Sequence, residues 1–213
     1  MLILLIFLDQ IIKIYIKTHF KLGQSLKIFN WFKLIFNENP GIGYGFNLKY
    51  GYLEKLIISI IRIILIINLK FFYKKNCSSL SSLYKISICL LLAGAISNLI
   101  DCLFYGIIFN KGVRFINHYW NFYEGISNIF YKKGYSFFLC GCVVDMFYVK
   151  LLKIKMPNYI PLFRNVELKF LNVIFNLADL FIFMGVIILC SPQILCSPQA
   201  VLPRLDLNQR PPD

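Results

Sequence analysis

A chain of 213 residues that is 58% hydrophobic and 17% aromatic, with only 15% charged, cannot cover a soluble domain with charge, so a membrane protein is expected. The formal net charge of +13 would favour nucleic acid in a soluble protein, but the lysines are scattered through every connection without a basic stripe, and no nucleic-acid partner is expected. The same scatter leaves the orientation in the bilayer unassigned by charge.

Four apolar blocks predict an all-α integral membrane domain over residues 1–190, with four transmembrane helices and a small extracytoplasmic β-rich or loop region. About 20 residues at roughly 1.5 Å each cross a hydrocarbon layer of about 30 Å. The first block, residues 1–16, reads MLILLIFLDQIIKIYI. Asp9 and Lys13 lie too deep in it for a signal peptide, and it has neither a basic flank nor a small-x-small cleavage site. The turn-formers Asn39, Pro40 and Gly41 follow. The second block, 52–69, holds Arg62, and the third, 84–109, holds Asn98 and Asp101. Aromatic residues crowd the stretch 110–142, as in an interfacial belt. Asp145 lies in CGCVVDMFYVK, read as a loop or interfacial segment just outside the third span. The fourth block, 172–190, contains VIFNLADLFIFMGVIILC with Asn176 and Asp179. After it, a repeated CSPQ and PRLDLNQRPPD read as a disordered tail over 191–213.

Seven cysteines form no CxxC pair, and Cys140 with Cys142 lacks the neighbours of a metal set, since His19 and His118 are distant in sequence. No metal site and no cofactor are expected.

A charged Asp at mid-membrane costs about 2.5 to 3.5 kcal/mol on insertion scales, so each acid in an apolar block needs a reason. Asp9 has one in Lys13, four residues on along the same helix face. Asp101, three residues after Asn98, reads as a hydrogen-bonding anchor within the bundle or as a substrate-facing acid. Asp179 has no Lys or Arg at helical spacing. With a helix starting near Ile174 it would sit about one and a half turns in, roughly 7 Å below the interface. A second carboxylate nearby would let two acids share one proton across a water, one acting as base and the other polarising a carbonyl. Spacing alone leaves Asp9, Asp101 and Asp145 as possible partners. Proton-coupled transporters also carry membrane acids.

In five ordered places over residues 5–190 the chain resembles lipoprotein signal peptidases, the four-helix membrane aspartic peptidases of bacteria. LDQIIKIYIK resembles the first-span Asp-Gln with Lys four residues after Asp, at Asp9, Gln10 and Lys13. NPGIGYGF resembles an Asn-x-Gly stretch, at Asn39, Gly41, Tyr44 and Gly45. AGAISNLIDCLFYG resembles the third-span Gly-x-x-Gly-Asn-Leu-Ile-Asp-Arg, at Gly94, Asn98, Asp101 and Gly106. VVDMFY and FNLAD resemble the segments with the catalytic aspartates, which makes Asp145 and Asp179 the implied dyad. The insertion over 110–142 and the Pro157 and Pro161 approach to the last span resemble the Bacteroidota branch.

The resemblance implies an endopeptidase of the bacterial inner membrane, multi-pass and monomeric among membrane lipids. Its implied partner is a prolipoprotein whose lipobox cysteine already carries diacylglycerol, cut just before that cysteine. Asn39, Gly41, Asn98, Asp101 and Asn176 would contact substrate, with Asp9, Lys13 and Gly94 structural. Two positions depart from the motif, Ser97 for Gly and Cys102 for Arg, and a thiol cannot supply an arginine's fork of donors. The competing readings are a proton-coupled transporter component, for which no internal repeat is visible, and a catalytically impaired scaffold.

Overall fold

A computed structural model of the chain describes residues 1–41, 51–76, 80–130, 133–150, 153–155, 167–169 and 172–191. Tyr44, Gly45, Pro157, Pro161 and the tail beyond Ser191 lie outside the described residues.

Helix α1 (Leu2–His19) is built inside out. Asp9, Lys13 and Lys17 recur every four residues, so they share one face, and that face is buried while Ile3, Leu4, Phe7 and Ile11 are exposed. Charge inward and hydrocarbon outward is the arrangement that lipid demands. Helix α2 (Tyr52–Asn76) also turns Ile57, Ile60, Ile64 and Ile67 outward and runs past the expected end at residue 69. Helix α3 (Ser82–Ile100) starts where the Ser81 hydroxyl accepts from the Tyr84 amide at 3.3 Å, an N-cap. It widens into a π-helical stretch, Asp101–Tyr105, and closes with the single turn α4 (Gly106–Ile108). Helix α5 (Leu177–Leu189) is apolar but only 13 residues long. Among the described residues, Tyr52–Asn76 and Ser82–Ile108 are long and apolar enough to cross a membrane.

The strands are β1 (Ser25–Lys27), β2 (Phe32–Asn39), β3 (Arg114–Ile116), β4 (Tyr119–Asn121), β5 (Val143–Lys150), β6 (Lys153–Lys155), β7 (Glu167–Lys169) and β8 (Asn172–Phe175). Four of them form an antiparallel sheet in the order β1-β2-β5-β8. The molecule is helix-rich with a sheet, so the all-α label is too narrow, while the small β-rich or loop region expected beside the helices has its counterpart in these strands. VVDMFYVK, expected as a loop or interfacial segment, is a central strand, because its β-branched and aromatic residues suit a pleated surface covered on both faces. The expected fourth block also divides. Its first residues are β8, paired with β5 from Phe175 opposite Phe147 to Asn172 opposite Lys150, and the helix begins only after Asn176. Strands β3 and β4 form a hairpin whose turn residues Asn117 and His118 have φ of 52° and 66°, as a two-residue type I′ turn requires.

Helix α3 packs against α1, α2 and α5. The sheet rests on a core of Ile16, Phe36, Tyr105, Val144 and Met146. Lys17, one of the lysines that the sequence scatters through the connections, is fully buried. Its ammonium pairs with Glu38 on β2 and lies 5.0 Å from the ring centres of both Phe109 and Tyr135. Glu38 also accepts from the Tyr123 hydroxyl at 2.8 Å and from the Val113 amide at 2.9 Å. Lys55 of α2 does similar work, donating to the carbonyls of Cys140 and Gly141 at 3.0 and 3.1 Å. Both lysines tie helix ends to the irregular stretch before β5.

At Gly94 the α3 backbone comes so close to α5 that an added Cβ would stand 2.3 Å from the Ala178 carbonyl oxygen. Gly94→Val is expected to destabilise the protein by about 1 to 3 kcal/mol through overpacking, read as a lower thermal midpoint in detergent.

Candidate active site

Asp145 is the third residue of β5, opposite Asn37 in the ladder with β2. It is 3% exposed. Asp179 is in the first turn of α5, so the expected depth of about one and a half turns is corrected. The helix starts later than the apolar pattern indicated, because Asn176 has an extended backbone and caps it. The Asn176 side-chain oxygen accepts from the Asp179 amide at 2.9 Å, and Asp179 Oδ2 accepts from the Asn176 amide at 3.2 Å. This reciprocal pair is a capping box, and a carboxylate in a helix's first turn also faces the positive end of its dipole.

The same asparagine joins the two acids. Its side-chain amide donates to Asp145 Oδ1 at 2.8 Å and to Asn98 Oδ1 at 3.1 Å, and the Asn98 amide donates to Asp179 Oδ1 at 2.9 Å. Behind Asn98 stands Lys13, fully buried. Its ammonium reaches Asn98 Oδ1 at 2.8 Å, Asp9 Oδ2 at 2.9 Å and Asp101 Oδ2 at 2.8 Å. The Asp9–Lys13 pair expected from spacing is present, and Asp101 completes it from another helix. Asp9 Oδ1 accepts the Ala178 amide at 2.9 Å, which places a negative charge against the N-terminus of α5. Asp101 accepts from Gln10 at 2.9 Å and from the Val144 amide, next to Asp145, at 3.3 Å. With no exposed surface, Asp101 serves as an anchor for β5.

Asp145, Asp179, Asn39, Asn98 and Arg62 line one cavity of about 340 Å³, whose other wall is apolar and includes Phe175, Ile182 and Val186. Asn39 lies at the end of β2, where its side-chain oxygen accepts the Gly41 amide at 3.0 Å, an Asx turn. Gly41 borders a smaller space beside Arg62 and Cys102. The structure thus brings together Asp145, Asp179, Asn98, Asn176 and Asn39, and sets Asp9, Lys13 and Asp101 behind them. Sequence reasoning assigned no role to Gln10, Ser97, Glu38 or Arg62. Only Arg62 had a local signal, as a cation in an apolar run.

Burial pushes the Asp145 carboxyl up to about 8, and the charge of Asp179 adds to the rise, against the lowering effects of Lys13 and the Asn176 hydrogen bond. Burial thus favours the protonated form of Asp145. Two acids that share a cavity, with one protonated, can activate a water and polarise a carbonyl at once.

A family model described as Signal peptidase (SPase) II matches residues 1–195. The lipoprotein signal peptidase of Porphyromonas gingivalis is 36% identical over 200 residues, covering 91% of this chain and 81% of that protein. The lipoprotein signal peptidase of Amoebophilus asiaticus is 32% identical over 191 residues, covering 86% of this chain and 72% of that protein. Two solved structures, each described as a bacterial membrane enzyme determined by the in meso method, are similar with TM-scores of 0.54 and 0.53. They are 21% and 23% identical and cover 88% of this chain, with 81% and 86% of their own lengths covered. At that identity they support the fold alone.

The raised Asp145 pKa has a thermodynamic sign. The folded state keeps a proton that the unfolded chain releases near the ordinary value of about 3.9, so this group's contribution to stability falls as pH rises from there towards about 8 and is flat above. Carbon-13 NMR of labelled aspartates should show Asp145 titrating near 8. In Asp179→Asn its midpoint should move down, because a like charge has gone. A midpoint that stays in place would contradict the coupling.

Proposed function

The chain belongs to the signal peptidase II family, whose lipoprotein signal peptidases are aspartic hydrolases of the membrane, and we propose that Asp145 and Asp179 are its catalytic pair. The substrate is a prolipoprotein whose lipobox cysteine carries diacylglycerol, and the bond broken is the one before that cysteine. The observation that carries this reading is the position of Asn176, which donates to Asp145 while capping Asp179, so that a strand acid and a helix acid face one cavity.

Asp179 is the base and Asp145 the acid. Asp179 takes a proton from the attacking water as its oxygen adds to the scissile carbonyl carbon, and Asp145 gives its proton to the carbonyl oxygen. Collapse of the tetrahedral intermediate re-forms the carbonyl, its hydroxyl proton returning to Asp145, and breaks the C–N bond as the leaving amine takes up the proton held by Asp179. Asn98 and Asn176 orient the carboxyls, and Asn98 and Asn39 also meet the peptide. Gly41 lies beside the cleft. Asp9, Lys13 and Asp101 position these groups without touching substrate.

Four crossings of the bacterial inner membrane, α1, α2, α3 and α5, fit this reading. The outward apolar face of α1 supports its crossing, although the helix carries three buried charges. The sheet then lies outside the bilayer with β5 at its boundary, where a lipid-anchored peptide presents its bond. The single copy described here holds both acids, so a monomer is sufficient. The insertion over 110–142 is an accessory to one peptidase unit of residues 1–190.

Asp145→Asn and Asp179→Asn should each lower kcat for cleavage of a diacylglyceryl prolipoprotein by at least about a hundredfold, the scale of lost general acid or base catalysis. The wild-type rate should trace a bell against pH, with an alkaline limb near the Asp145 value of about 8 and both constants belonging to the pair. Unchanged cleavage by either variant would refute the assignment.

A further inference from the structure

The acid-bearing cavity has a cation on its wall that the reaction scheme above leaves unused. Arg62 is in α2, inside the run LIISIIRIILIINL, and its neighbours three and four residues away are Ile58, Ser59, Leu65 and Ile66. No carboxylate of its own helix can neutralise it, and a guanidinium in a membrane-crossing helix is costly unless it is used. Among the described residues it makes one hydrogen bond, from Nη1 to Cys102 Sγ at 2.9 Å. A thiol is a weak acceptor, and guanidinium has five donors.

The position of Arg62 indicates what those donors serve. Arg62, Asn39 and Val143 border both the cavity with the two acids and the smaller space that runs to Gly41 and Cys102. Arg62 therefore stands at the junction, between the reacting groups and the open end of β2. A peptide bound in the larger cavity and leaving it towards the Asn39–Gly41 turn lies beside it. Cys102 stands where the resembled motif has arginine, so a guanidinium reaches this wall from α2 and not from α3. An anionic lipid headgroup is a poorer occupant, because the Asp179 carboxylate lines the same cavity and repels it.

We infer that Arg62 is a substrate-binding residue, its guanidinium donating to main-chain carbonyl oxygens of the extended peptide as it passes between α2 and the Asn39–Gly41 turn. Carbonyl oxygens presented along an extended chain suit the planar fork, which lysine lacks. This assignment rests on the peptidase reading for its substrate, but it concerns binding and not the chemical step.

The test compares wild type, Arg62→Ala, Arg62→Lys and the double variant Arg62→Ala/Cys102→Arg as full chains in phosphatidylcholine vesicles, with a diacylglyceryl prolipoprotein peptide as substrate. In Arg62→Ala, kcat/KM should fall by about ten- to a hundredfold, the scale of a lost charged hydrogen bond, with most of the change in KM. Arg62→Lys should recover little, and the double variant should recover most, because its guanidinium starts from the thiol that Arg62 now touches. Affinity of a fluorescent diacylglyceryl lipopeptide, measured in the Asp145→Asn background, reads the same residue without cleavage. Wild type that binds but never cleaves would sink the catalytic pair, and the affinities would still decide Arg62. Equal affinity with and without the Arg62 side chain overturns the inference. So does a loss that appears only when anionic phospholipid is added to the vesicles, which would make Arg62 a headgroup site. If Arg62→Ala fails to fold, the Arg62→Lys affinity decides: wild-type binding by the lysine overturns the role of the fork.

Discussion

The buried ammonium of Lys13 is the constraint on which the rest of the site depends. An ammonium has three protons to place, and here three acceptors meet it, on Asp9, Asp101 and Asn98. Buried charge is tolerated only when it is paired and hydrogen-bonded, so α1 and α3 can hold their relative positions only as long as those contacts are made. The consequences spread outward through single hydrogen bonds. Asp9 fixes the start of α5 through the Ala178 amide, Asp101 fixes β5 through the Val144 amide, and Asn98 fixes the Asp179 carboxylate. Each contact sets an element that carries one of the paired acids. None of the groups in direct contact with Lys13 is Asp145 or Asp179 itself.

A second group of buried charges repeats the device at the end of β2. Lys17 is one turn beyond Lys13 on the same face of α1 and pairs with Glu38, one residue before Asn39. The aromatic rings around its ammonium add a favourable quadrupole term. Because Glu38 also accepts the Val113 amide, the end of α1, the end of β2 and the stretch before β3 are tied at one point. The ladder from Glu38 opposite Val144 to Asn37 opposite Asp145 then carries that fixed point to the strand acid. Helix and sheet are positioned by one row of side chains.

Much of this was legible in the sequence where the signal is local. Hydropathy located α2 and α3, the i, i+4 spacing paired Asp9 with Lys13, and the order of five motifs pointed to Asp145 and Asp179. What was lost is non-local or masked by hydrophobicity. β5 reads as apolar on both faces because both faces are covered, and this removes the alternation that marks a strand. Asn176 and Asp179 do have capping-box spacing, but the apolar run begins at Val173, and hydropathy merged β8 with the helix. Lys17 looks like any lysine at the end of a span, and only its partner 21 positions away makes it interior. Arg62 and Cys102 are 40 positions apart, and nothing in either local stretch links them.

The two acids have different surroundings. Asp145 is on a central strand, closed in on nearly every side, so burial favours its neutral form. Asp179 is half-buried at a helix start, held by the Asn176 cap and by the Asn98 amide, which donates to it at 2.9 Å. One acid comes from a strand and the other from a helix start, so their surroundings differ although they line one cavity. The abrupt change from β8 to α5 at Asn176, which hydropathy could not see, is thus what sets Asp179 at a helix start while keeping both acids on one cavity.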